Sequence, residues 1–217
     1  EALLAEYPAR DAGLVHDVPK GHMRIENIVA TAPGRAAPIL KGLSAEFPAG
    51  EVIAIIGPSG SGKSTLARSL VGIWPHLEGR VLIDGEPIQE WNRDELGPFL
   101  GYLPQDIELF DGTIAENIAR FGEIEPAKVI QAAGRAGVHD MVLRLPRGYD
   151  TSMGEAGSLL SGGQRQRIGL ARAMYGDPSV IVLDEPNSNL DDAGEAALVK
   201  AVKDLRQQAK TVFLITH

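Results

Sequence analysis

Gly57-Pro58-Ser59-Gly60-Ser61-Gly62-Lys63-Ser64 is the stretch whose reading decides the fold. Before it runs Val52-Ile53-Ala54-Ile55-Ile56, a continuous apolar segment that reads as a strand buried on both faces. After it, Lys63 to Val71 has the apolar spacing of a helix. A strand, a loop of the form G-x-x-x-x-G-K-S and a helix together make a phosphate cradle. The glycines let the backbone curl so that several N–H groups point inward, and the helix aims its positive end at the same place. Lys63 adds a full positive charge for the outer phosphates, and the Ser64 hydroxyl is placed to ligate Mg²⁺. Thr65 follows it in the nucleotide-binding set. A ligand-free Gly/Ser turn would explain the loop but not both of its flanks.

Outward from the loop, Val180-Ile181-Val182-Leu183 and Thr211-Val212-Phe213-Leu214-Ile215 read as two more buried strands. Ala193 to Gln208 between them is helical, so the three segments form a β-α-β unit and imply a parallel sheet with helices on its faces. The strand at Val180 ends in Asp184 and Glu185. An acid there, beside a phosphate loop, is the expected Mg²⁺ partner, and the next one can orient and deprotonate an attacking water. Met23 to Val29 and Ile39 to Phe47 are further short strands, with a turn at Pro48-Ala49-Gly50. From about Asp106 to Ala173 the pattern is helical, as at Pro126 to Ala136 and Gly163 to Met174, and reads as a lobe inserted into the α/β core. Residues 1–20 read as a solvated linker, with a helical stub over Glu1 to Tyr7 broken by Pro8, Gly13 and Pro19.

Bulk composition narrows the partners. The chain has 217 residues, enough for one large domain that buries its own core. It has no cysteine, which excludes disulfides and thiolate metal sites. The formal charge of −8, from 21 basic and 29 acidic residues, argues against nucleic acid as a partner. No apolar run approaches the ~18 residues of a membrane span, and the acidic start does not resemble a signal peptide.

Leu160-Ser161-Gly162-Gly163-Gln164 opens a second helix with Ser and Gly, again a nest for an anion. Two phosphate-recognising helix starts far apart in one chain are economically explained if they face each other across a dimer. At these residues the chain resembles the nucleotide-binding domain of ABC ATPases, over nearly everything from Met23 onward. The resemblance places Walker A at Gly57 to Ser64, the Q-loop at Gln105, the signature at Leu160 to Gln164 and Walker B at Val180 to Asp184. The D-loop is then Ser188-Asn189-Leu190-Asp191, and His217 takes the place of the switch histidine. The implied fold is the P-loop ABC-ATPase α/β fold: a mainly parallel core sheet flanked by helices, an antiparallel β-subdomain and the inserted helical subdomain. The implied domain runs over 21–217, continues in the family beyond His217, and joins a transmembrane region absent here.

Leu109-Phe110-Asp111-Gly112-Thr113-Ile114-Ala115-Glu116-Asn117-Ile118 and Gly154-Glu155-Ala156-Gly157 look like exporter segments, the latter like the loop that meets the transmembrane part. The stretches around Gln105 and Asp184 look most like bacterial type I secretion ATPase/permeases. The resemblance implies ATP and Mg²⁺ as ligands, with Ser64, Gln105 and Asp184 on the metal, Glu185 as base and His217 at the γ-phosphate. It implies a second copy as partner, the exporter's transmembrane domain, and through that domain a periplasmic adaptor and an outer-membrane channel. The implied place is the cytoplasmic face of the bacterial inner membrane. Two positions depart from the pattern. Ala32 stands where an aromatic commonly stacks on adenine, leaving Arg35 or an aromatic elsewhere to serve, and Asn189 stands where Ala is commoner. The alternatives are a soluble non-transport ABC ATPase, which would need a coiled coil, a basic face or a second cassette, and a nucleotide kinase or GTPase, which has no use for Leu160 to Gln164. A third, a non-catalytic domain, is disfavoured by Glu185 and His217.

Overall fold

The computed structural model describes residues 17–156 and 159–217. The expected stub over Glu1 to Tyr7 and the glycine at 157 lie outside the described residues. In chain order the described elements begin with β1 (Met23–Ala30), β2 (Leu40–Phe47), β3 (Val52–Ile56) and α1 (Lys63–Leu70). There follow β4 (Glu78–Ile83), β5 (Glu86–Pro87), α2 (Arg93–Leu96), β6 (Leu100–Leu103), α3 (Ile114–Ile118) and α4 (Pro126–Arg135). The remainder are α5 (His139–Leu143), α6 (Met153–Ala156), α7 (Gly162–Met174), β7 (Val180–Asp184), α8 (Asp192–Gln207) and β8 (Thr211–Thr216).

Two sheets carry the fold. One is antiparallel, in the order β2-β1-β4-β5, and the other is parallel, in the order β3-β8-β7-β6. β7 is buried along its whole length, and its alternate side chains feed two cores. Val180 and Val182 join Phe213, Ile215, Leu66, Leu70 and the inner face of β1. Ile181 and Leu183 join Leu103, Val212 and the apolar faces of α3, α4, α7 and α8. The parallel sheet is therefore the middle layer, with the antiparallel sheet and α1 on one side and the helices on the other.

β3 corrects one expectation. Its apolar run is only partly buried, and Ile56 is 72% exposed, because β3 pairs with β8 alone and forms the edge of the described sheet. β4 and β5 escaped the sequence reading. Glu78-Gly79-Arg80 gives β4 an exposed polar first half, and only Val81-Leu82-Ile83 is buried. Lys20, the last residue of the expected linker, donates its N–H to the Asp84 carboxylate at 2.5 Å. Just inside the domain the His22 N–H donates to the same carboxylate at 2.9 Å, and the Thr211 hydroxyl donates to Gly21 O at 2.7 Å.

The helical segment over 106–173 does not stand apart from the sheet. α7 lies across β6, so close that a Cβ on Gly101 would sit 2.1 Å from the Ala173 carbonyl oxygen. α3 begins with a capping box, in which Thr113 Oγ1 accepts from Glu116 N at 3.1 Å and Glu116 Oε2 accepts from Thr113 N at 2.6 Å. One turn on, the buried Asn117 amide exchanges two hydrogen bonds of 2.9 Å with the Phe110 main chain. These bonds hold the Phe110 ring out in solvent, where it is 51% exposed. Because the contact at Gly101 is with backbone, Gly101→Ala is expected to lower the unfolding free energy by about 2–3 kcal/mol. Denaturant titration of the variant checks this, and an unchanged midpoint would contradict the close packing of α7 on β6.

Candidate nucleotide site

All four parallel strands end at one edge, and the residues just beyond that edge build the site. β3 passes into Gly57, β8 into His217, β7 into Glu185 and β6 into Pro104 and Gln105. A cavity of about 270 Å³ there is lined by Ser59, Gly60, Gly62, Lys63, Ser64, Thr65, Gln105, Glu185, Ile39 and Arg35. Sequence reasoning named all of these except Ile39, which packs beside Gly62 and has no chemistry to betray it.

α1 starts at Gly62, whose φ of 95° ends the loop, and no side chain caps the helix. Its first-turn N–H groups therefore keep their hydrogen-bonding capacity for an incoming anion. The Lys63 ammonium folds back on the loop and donates to Gly57 O at 2.7 Å and to Pro58 O at 2.9 Å. A phosphate oxygen is a stronger acceptor than either carbonyl, so those bonds can be exchanged for one to a ligand.

Asp184 is 1% exposed, and its Oδ1 has no hydrogen-bond partner. Burial raises the pKa of its carboxyl, while a hydrogen bond from Ser64 and the charges of Arg68 and Lys63 oppose the shift. Such an unsatisfied oxygen belongs to the carboxylate that the Ser64 hydroxyl reaches, and Ser64 lines one cavity with Gln105, so hard oxygen donors suited to a small divalent cation gather here. Among the described residues no group of three or more His, Cys, Asp or Glu is placed to hold a metal ion.

Glu185 adopts φ 48°, a left-handed conformation uncommon for a non-glycine residue, while its N–H keeps the ladder to Ile215 O at 3.0 Å. The twist takes Glu185 out of the strand's alternation and into the cavity lining. There Oε2 accepts from Gln105 Nε2 at 3.2 Å, and Oε1 lies 3.4 Å from His217 Nδ1. Gln105, Glu185 and His217 thus form one contiguous group. The Glu185 carboxylate is held from two sides.

The signature lies in a different cavity, of about 310 Å³, lined by Ser161, Gly162, Gly163, Arg167, Asn189 and Asp191. Ser161 caps α7 in a second capping box: its Oγ accepts from Gln164 N at 3.2 Å, and Gln164 Oε1 accepts from Ser161 N at 2.8 Å. The Ser161 Oγ thereby takes up the Gln164 N–H, and Gln164 itself serves the cap. The S-x-x-Q spacing carried that signal in the sequence. A Cβ on Gly163 would meet Asn189 O at 2.6 Å, so the loop 188–191 can lie against the start of α7 only because residue 163 is glycine.

Asp191 caps α8 by accepting from Gly194 N at 2.8 Å, and it pairs with Arg167 of α7 at 2.9 Å. Gln166, buried in α7, donates to Pro186 O at 3.3 Å. α7 is therefore pinned to the residues that follow Glu185. Leu160 is buried, and the Asn189 amide donates to Ser188 Oγ at 3.4 Å within its own loop. At the rim of the phosphate cavity Ala32 accepts from the Arg35 N–H in a turn, and no aromatic ring lines the cavity among the described residues.

Comparison with known proteins agrees with this geometry. The family model for ABC transporters matches residues 40–188. Over 216 residues the chain is 47% identical to the type I secretion system ATP-binding protein PrsD of Rhizobium meliloti, covering 99% of this chain and 37% of that protein. It is 39% identical over 202 residues to an ATP-dependent lipid A-core flippase of Saccharophagus degradans, covering 93% of this chain and 34% of the flippase. With the human mitochondrial iron-sulfur clusters transporter ABCB7 it shares 42% identity over 178 residues, covering 81% of this chain and 24% of ABCB7. Among solved structures, a bacterial Atm1-family ABC exporter with ATP bound superposes with a TM-score of 0.83 at 38% identity, over 96% of this chain and 36% of that one. The chain spans well under half the length of each of these relatives. Its phosphate loop, its signature and its two-sheet core thus have one origin, and the chain belongs to the ABC transporter family as an ATPase domain of the exporter type.

Proposed function

We propose that this domain drives type I protein secretion, working as a pair of copies that sandwich two ATP–Mg²⁺ between them. The observation that carries the two-copy reading is that the phosphate cavity and the signature cavity share no lining residue. Each is half of a site, and each is open. In the sandwich Lys63 and Ser64 of one copy and Ser161-Gly162-Gly163 of the other grip the same nucleotide. The similarity to a type I secretion protein over nearly the full chain favours protein as cargo. The flippase and cluster-transporter relatives supply the competing readings.

The chemistry follows from the strand edge. Ser64, Gln105 and Asp184 would hold Mg²⁺, which when bound neutralises charge on the phosphate oxygens. Glu185, held by Gln105 and His217, accepts a proton from the attacking water, and His217 contacts the γ-phosphate. Once the bond is cleaved, the γ-phosphate no longer joins the two copies, and they separate. Phe110 and Phe121, 51% and 49% exposed with ring centroids 6.2 Å apart, offer an aromatic face beside the loop that begins at Gln105. That face and Gln105 would meet the transmembrane domain. With it come the periplasmic adaptor, the outer-membrane channel and a location at the cytoplasmic face of the bacterial inner membrane. Among the described residues no helix is long and apolar enough to cross a membrane, so the span would come from that other part.

Two outcomes test this reading. Glu185→Gln should bind ATP with near wild-type affinity, lose turnover at least a hundredfold, and trap closed pairs in the intact protein. ATP turnover at the wild-type rate would contradict the assigned base. Among the described lining residues, Arg35 and Ile39 would hold the base of the nucleotide by stacking and apolar contact, which every purine face offers alike. ATP and GTP should therefore bind within tenfold of each other, and Arg35→Ala should weaken both by about 1 kcal/mol. A nucleotide titration showing a larger preference for ATP would contradict this.

A further inference from the structure

Arg120 follows α3 and spends all five of its N–H donors on main-chain carbonyls. Nε donates to Arg172 O at 3.0 Å, and Nη1 donates to Gly97 O and Leu100 O, both at 2.9 Å. Nη2 donates to Ala173 O at 3.2 Å and to Tyr175 O at 3.4 Å. Burial, with the nearby charge of Arg172, pushes the pKa of Arg120 down to about 10, so the group is still a cation at neutral pH. None of its five partners is a carboxylate. Three of them are carbonyls at the C-terminal end of α7, which carries the negative end of the helix dipole. The other two flank the start of β6, the strand that leads to Gln105.

The clamp therefore joins two elements that act at their far ends. α7 has 13 residues and is about 20 Å long. Its other end is Ser161, the start of the signature nest. β6 runs from the clamp to Gln105. Arg120 and Phe121 both adopt left-handed backbone, with φ 57° and 58°, so the chain reverses between them. One side chain goes into the clamp, and the next is exposed beside Phe110. Arg172, on the last turn of α7, adds a second tie: it donates to Glu108 O at 3.0 Å and lies 5.7 Å over the Phe110 ring.

We propose that Arg120 is a positioning residue that transmits displacement of the Phe110–Phe121 face to the signature. Its five-carbonyl clamp fixes α7 against β6, and so fixes where Ser161-Gly162-Gly163 stands relative to the nucleotide of the second copy. The proposal rests on the two-copy reading above.

The test uses the intact protein that carries this domain. Arg120→Lys keeps the charge but has three donors in place of a five-donor fork, and Arg120→Met removes both charge and donors. Binding of a fluorescent ATP analogue, ATP turnover and melting temperature are measured for each. The clamp predicts nucleotide affinity within about twofold of wild type, with kcat down at least tenfold in Arg120→Met and severalfold in Arg120→Lys. Wild-type kcat in both, with only a lower melting temperature, would overturn the proposal and leave a structural staple. A loss of affinity that matches the loss of turnover would also overturn it, because the clamp would then act on its own chain's cavity. If Arg120→Met does not fold, Arg120→Lys decides by the same criteria. Ser161→Arg is measured alongside. Unchanged turnover there would sink the two-copy reading itself, whatever Arg120 does.

Discussion

Parallel pairing of four strands sets Ile56 beside Thr216, Ile215 beside Asp184, and Leu183 beside Leu103. In such a sheet every strand points the same way, so all the carboxyl ends meet at one edge. The residue after each end, or the next but one, is one to which the proposed mechanism gives a role: Gly57, His217, Glu185 and Gln105. Their separation in sequence is large, and the ladder removes it. A slip of β7 by one residue would turn Asp184 to the wrong face, since strand side chains alternate. Both faces of β7 are apolar, with Val180 and Val182 on one side and Ile181 and Leu183 on the other. What opposes that slip is therefore the change in side-chain volume that each packed core would have to absorb.

α7 is the second organiser. Its start presents the signature, its second turn touches Pro186 and Asp191, and its end is gripped by Arg120. The bonds are mostly from side chains to main chain, which fixes position without depending on the identity of the partner's side chain. In the proposed pair, this one rigid rod would report the state of the loop around Gln105 and of the residues after Glu185 to the cavity facing the second copy. The contiguous group Gln105–Glu185–His217 and the residues Ser161-Gly162-Gly163 lie apart, yet both are mounted on the same frame.

Most of the strand-end edge that lines the candidate site was legible in the sequence because it is made of local signals. A glycine-rich loop between strand and helix, an apolar strand ending in two acids, and a Ser-Gly-Gly helix start each declare themselves within ten residues. What stayed hidden depends on partners far along the chain. Val52 to Ile56 is as apolar as a central strand, but only pairing shows that it lies at the edge of the described sheet. β4 hides behind its polar first half. Asp191 reads as part of a loop, and its double duty as helix cap and partner of Arg167 needs the fold. Arg120 gave no signal at all, since its five partners are carbonyls from two other segments and carbonyls have no sequence.

The central claim is that the phosphate loop of one copy closes on the signature of another. Ser59 and Leu159 are both exposed, and the chain has no cysteine of its own. Disulfide cross-linking of Ser59→Cys with Leu159→Cys, in the intact protein free of other cysteines and carrying Glu185→Gln, tests the claim directly. The account predicts a covalent pair of chains that forms with ATP and Mg²⁺ and not without them. Equal cross-linking with and without nucleotide, or none in either case, would contradict it.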